Sequence, residues 1–98
     1  MDIKEKIKQL RKKYGEMVVE IEGEELRFKP TVEFYEGLLL ATSDPEKANE
    51  KGVEYFIKEF PKIVAKDLNI SLDDAKLLVM HYAEEFINAF VEAIGKKK

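Results

Sequence analysis

The stretch from Ser71 to Gly95 constrains this chain most, because its apolar residues cover more of a helix than one neighbour can bury. The spacing predicts a single helix of about six turns. Ser71 stands where a hydroxyl can accept a bond from a first-turn amide. Asp74 stands where a carboxylate can bond back to the cap amide and face the positive end of the helix dipole. Gly95 can take the left-handed conformation that ends helices, and Lys96, Lys97 and Lys98 follow at the negative end. Ala75, Val79, Tyr82, Phe86, Ala89, Phe90 and Ala93 form the main stripe. Met80, Ala83, Ile87, Val91 and Ile94 widen it to roughly 200°, against ~100° for an ordinary surface helix. Asp74, His81, Glu84, Glu85, Asn88 and Glu92 occupy the remaining arc. Either this helix is the centre of a small domain, or part of it pairs with another chain.

The residues before it supply the other elements. From Asp2 to Tyr14 the apolar positions Ile3, Ile7, Leu10 and Tyr14 fall on one narrow line, and Gly15 stops the pattern. A narrow line buries little, so this basic helix is expected at the periphery. From Glu16 to Lys29 the period changes to two. With Gly23-Glu24 as a two-residue loop, Ile21 faces Leu26, Glu20 faces Arg27 and Val19 faces Phe28, which predicts a hairpin with one apolar face. Thr31 can cap a helix over Val32 to Thr42, weakened at Gly37 by about 1 kcal/mol relative to Ala. Ser43-Asp44-Pro45-Glu46 marks a restart. The helix from Glu46 turns apolar at Val53, Phe56, Ile57, Phe60, Ile63, Val64 and Leu68, with a kink or break expected at Phe60-Pro61. Asn69-Ile70 then leads into Ser71. This segment should pair antiparallel with the helix after it.

The expected architecture is one α+β domain over residues 1–98, mostly α. It has a peripheral basic helix (1–15), an N-terminal β-hairpin (16–29), a helical body (31–95) and a Lys tail (96–98). About four to five helices pack with the hairpin. Ninety-eight residues suffice for a core that buries roughly 65% of the unfolded surface. With no cysteine, neither a disulfide framework nor a thiolate metal site can form. No apolar run approaches the ~20 residues of a membrane span. Met1-Asp2-Ile3-Lys4-Glu5 has no apolar signal core, so a cytoplasmic protein is expected. Abundant Glu and Lys beside a single Gln resemble the composition of heat-adapted proteins.

Charge is uneven. Residues 1–15 carry six basic and two acidic groups, and residues 16–36 carry two basic and seven acidic. Solvated faces explain such runs in many soluble proteins. The basic helix can also be an arm for a protein partner, or a contact to nucleic acid or anionic lipid. Lys6, Arg11, Lys12 and Lys13, with the Lys tail, are the residues a nucleic-acid-associated protein would use. Against that reading, Arg is scarce and the aromatic residues fall at core spacing rather than interleaved with cations.

Catalytic signatures are few. His81, the only histidine, has Glu84 and Glu85 on the same helical face, where they could share a divalent cation. A zinc site wants three or four protein ligands, so an ordinary surface histidine is the simpler reading. Ser43 and Ser71 sit where helix caps belong. The chain has no nucleophile elbow and no phosphate-cradling glycine loop. No cofactor is expected, and a non-enzymatic role is.

The order of elements from Val18 to Phe90 resembles the tail assembly chaperones of long-tailed phages and prophages. Val-Val-Glu-Ile-Glu-Gly-Glu-Glu-Leu-Arg-Phe-Lys-Pro-Thr (18–31) is similar to their opening hairpin, and Glu-Glu-Phe-Ile-Asn-Ala-Phe (84–90) to the end of their helical body. The basic helix before the hairpin departs from that pattern. The resemblance implies a small non-enzymatic protein, often an oligomer, that shields an apolar tape-measure protein during assembly. The expectation is a protein-interaction or assembly protein whose contact surface is Met80, Ile87, Val91 and Ile94, with the basic helix as an accessory.

Overall fold

The computed structural model describes residues 2–95, with side chains to residue 93. Seven elements follow in order: α1 (Ile3–Lys13), β1 (Met17–Ile21), β2 (Glu24–Phe28), α2 (Val32–Ala41), α3 (Ala48–Leu68), α4 (Leu72–His81) and α5 (Ala83–Gly95). The fold is mostly α, with one antiparallel hairpin near the N-terminus. α3 is the trunk. α2 and α4 pack along it, and α5 packs across β1.

Local chemistry sets most of the boundaries. Asp2, Thr31 and Ser71 accept bonds from the amides of Glu5, Phe34 and Asp74, at 2.9, 3.1 and 3.1 Å. Each satisfies one orphan donor of a first turn. Asn69 ends α3 in the left-handed region, and the Ile70 amide returns to the Ala65 carbonyl at 3.0 Å. This tight C-cap turns the chain straight into α4. Ser43 donates to the Leu40 carbonyl at 2.9 Å, at the end of α2.

The hairpin register differs from the expected one. Its loop is Glu22-Gly23, with φ of 53° and 80°, the two positive values of a type I′ turn. Val19 therefore faces Leu26, Met17 faces Phe28 and Glu20 faces Glu25. This register brings Met17 onto the ladder, so that Met17, Val19, Ile21 and Phe28 are all buried. It also sets two glutamates opposite each other, which is unfavourable. Arg27 offsets that: its guanidinium bonds Glu25 and Glu16, each at 2.8 Å. Glu22 is a poor residue for positive φ, so sequence favoured the wrong loop.

Two expectations about the helices are also corrected. Of the kink or break expected at Phe60-Pro61, the break does not occur: one helix of 21 residues runs through it. The missing amide costs ~3 kcal/mol in an isolated helix. Here Phe56, Phe60, Ile63 and Val64 are buried on both sides of the proline, and burying each contributes about 1.5–3 kcal/mol. Conversely, the single helix expected over Ser71–Gly95 is interrupted at Tyr82 (φ −111°, ψ 31°). The interruption lets α4 lie on α3 while α5 turns onto β1. The Tyr82 hydroxyl donates to Glu22 Oε1 of the hairpin loop at 3.3 Å, on the far side of that junction.

All six phenylalanines are buried in one connected core. Phe28 of β2, Phe60 of α3 and Phe86 of α5 form a triangle with centroids 5.6–5.7 Å apart. Phe34, Phe56 and Phe90 extend it toward α2. Ala75 and Val79 close it from α4.

Gly37 has a packing role that propensity hides. The place where its Cβ would stand is filled by the ring of Tyr55, whose hydroxyl donates to the Phe34 carbonyl at 3.0 Å. Gly37→Ala gains about 1 kcal/mol of helix propensity but overpacks this contact, at a cost of about 1–3 kcal/mol. Thermal unfolding should show a lowered midpoint for Gly37→Ala, the reverse of the propensity rule.

Candidate functional site

Most of the exposed apolar side chains gather in two places, a band along α3 and its neighbours and the α1–α2 end; Val18 of the hairpin and Leu77 of α4 are exposed as well. Along α3, an open cleft of about 240 Å³ lies between α2, α3 and α5. Leu38, Val53, Phe56, Ile87, Phe90 and Val91 line it. A second hollow of about 320 Å³ lies between α3 and α4, with Ile57, Leu72 and Met80 on its walls and Lys58, Lys62 and Lys76 around them. Val53 and Ile57 are one turn apart on α3, so that helix presents neighbouring apolar side chains to the two hollows.

The four expected contact residues fall unevenly on this band. Met80 and Val91 are 65% and 62% exposed. Ile87 is half-buried, with one side against the core and the other on the cleft. Val91 joins Ile87 there, whereas Met80 lies in the second hollow. The side chain of Ile94 lies outside the described residues. Sequence periodicity placed Val53 and Ile57 in the core stripe of α3, yet both are exposed. The apolar arc of the chain's last two helices is thus divided: Phe86 and Phe90 make core, and Met80 and Val91 make surface.

The second place is the α1–α2 end. α1 has no buried residue. Its stripe is 72% exposed at Ile3, 46% at Ile7 and 40% at Leu10. It meets the body at Tyr14, which is edge-on to Tyr35 at 5.1 Å, and Tyr35 stacks on Phe90 at 5.7 Å. A groove of about 380 Å³ opens between α1 and the start of α2, lined by Ile7, Leu10, Tyr14, Pro30, Val32 and Tyr35. Of the expected accessory cations, Lys6, Arg11 and Lys12 are exposed. The Lys13 ammonium stands 5.4 Å from the Tyr14 ring centroid. The Lys tail lies outside the described residues.

The groups considered for chemistry are dispersed. His81 is exposed at the end of α4, its ring edge-on to Tyr82 at 4.7 Å. Among the described residues, no group of three or more His, Asp or Glu is placed to hold a metal ion. No helix among them is long and apolar enough to cross a membrane. Comparison of the chain with protein-family models, curated proteins and solved structures gives no match, so the reading of these surfaces rests on their geometry.

Tyr35 links the core to α1, and its ionisation is perturbed. Burial, followed by the neighbouring Tyr14, pushes its phenol up to about 12. Folding thus favours the neutral phenol. That contribution is intact below the ordinary tyrosine value of about 10 and is lost as pH rises from there through about 12. Denaturant unfolding as a function of pH should show stability falling across this window, with a shallower fall for Tyr35→Phe.

Proposed function

We propose that this is a non-enzymatic, cytoplasmic assembly protein that binds an apolar helical segment of another protein along the α3 band. Such a role is of the kind implied by the resemblance to tail assembly chaperones. The observation that carries the reading is the continuity of exposed apolar side chains across one trunk helix: Val91 and Val53 on one side, Ile57, Leu72 and Met80 on the other. An amphipathic helix laid in a groove buries residues one turn apart, and a cleft walled by two helices accepts that spacing. Exposed apolar patches rimmed by charge mark such contacts; here Lys58, Lys62 and Lys76 form part of the rim.

The test uses an amphipathic, aggregation-prone helical peptide as probe. The intact chain should keep it soluble at both low and high salt. Met80→Glu with Val91→Glu should abolish this protection without lowering the thermal midpoint, because both residues are surface. Nucleic-acid association is the second reading, favoured by the exposed cations of α1. It predicts duplex binding that falls steeply with salt and is lost on reversing Lys6, Arg11, Lys12 and Lys13, while the glutamate pair has no effect.

A further inference from the structure

The α1–α2 end carries two exposed apolar faces of opposite charge. Between Ile3 and Lys13, α1 has six cations and one carboxylate around Ile3, Ile7 and Leu10. α2 has two carboxylates, Glu33 and Glu36, and no cation; Glu33 shares a hollow with Glu59, Lys62 and Lys66 of α3, so Glu36 sets the charge along the outer line. On its outer face Val32, Leu39 and Leu40 are 73%, 72% and 69% exposed. Val32 and Leu39 are seven residues apart and so lie on one line of the helix, with Glu36 beside them.

α1 cannot cover that line within its own chain. Its groove reaches only the first turn of α2, at Val32 and Tyr35. Leu39 lies ~10 Å further along the helix axis at 1.5 Å per residue. α1 itself is short for an uncovered helix, since helices below ~12–15 residues are marginal in water. Lys4, Lys8 and Lys12 add like-charge pairs at four-residue spacing, which destabilise it further. Its ends are well made, with Asp2 at the N-cap and Arg11, Lys12 and Lys13 in the last turn. What the helix lacks is a neighbour that covers Ile3 and the open side of Ile7.

We propose that two copies of the chain associate by reciprocal docking, with α1 of each copy lying along the outer face of α2 of the other. An occupant of the α2 face should be apolar and basic; an occupant of the α1 face should be apolar and acidic. The chain supplies one of each. Two such faces on one surface are self-complementary under a two-fold axis, the arrangement of the commonest homodimers. An anionic bilayer would suit α1 but would be repelled by Glu33 and Glu36. A nucleic acid would take the cations and leave Leu39 and Leu40 uncovered.

Light scattering on the full chain tests this. The wild type should have twice the chain mass. Ile7→Asp and Leu39→Asp should each be monomeric, with unchanged far-ultraviolet circular dichroism, because neither side chain is core. Lys4→Glu, Lys6→Glu, Lys8→Glu and Arg11→Glu together, which leave α1 with two cations and five carboxylates, should weaken association at least tenfold, as should Glu33→Lys with Glu36→Lys. An equimolar mixture of these two charge-reversed chains should regain the dimer, since each then carries the face the other needs. A monomeric wild type overturns the proposal, whether or not it floats with phosphatidylserine vesicles. So does a dimer that survives both aspartate variants, or a mixture that associates no better than its two components.

Discussion

Three rings hold this fold together. Phe28, Phe60 and Phe86 come from a strand, the trunk helix and the last helix, and each is fully buried against the other two. A small hairpin has too little area to be stable alone. It persists because Phe28 reaches into the helical layer while Met17, Val19 and Ile21 seal the same face. The same requirement explains the interruption at Tyr82. A straight helix cannot lie along α3 and also deliver Phe86 to the strand side, so the chain changes direction where the two demands meet.

Much of this architecture was legible in the sequence, for identifiable reasons. Asp2, Thr31 and Ser71 are cap residues in front of periodic apolar runs, and each makes its cap bond. The change of period after Glu16 marked the hairpin. The errors arose where tertiary packing overrode a local rule. Pro61 reads as a kink or break; the break does not occur, because a core formed on both sides of it holds the helix. Gly23 reads as the first residue of a loop, but the burial of Met17 opposite Phe28 selects the register one turn type away. The interruption at Tyr82 carries no Gly or Pro, so nothing local announced it.

Surface was harder to read than core. Periodicity says which residues share a face, not how far the covering neighbour extends. Leu38, Leu39 and Leu40 span too wide an arc of α2 to be buried together, and the structure covers only the first of them well. Val53 and Ile57 continue the core stripe of α3 in sequence but lie at the edge of what α4 and α5 cover. Met80 and Val91 were legible as surplus to one face, although the two hollows that hold them were not.

A complete core thus stands apart from the apolar surface left over. The sharpest case is α1, which contributes no buried side chain to a body that is closed without it. Amide hydrogen exchange on the full chain, measured at a dilute and a concentrated protein level, tests that separation directly. Protection in β1, α3 and α5 should be strong and independent of concentration, whereas protection in α1 should be weak when dilute and rise on concentration. Equal protection of α1 and α3 at both levels would make α1 part of the core and contradict the account.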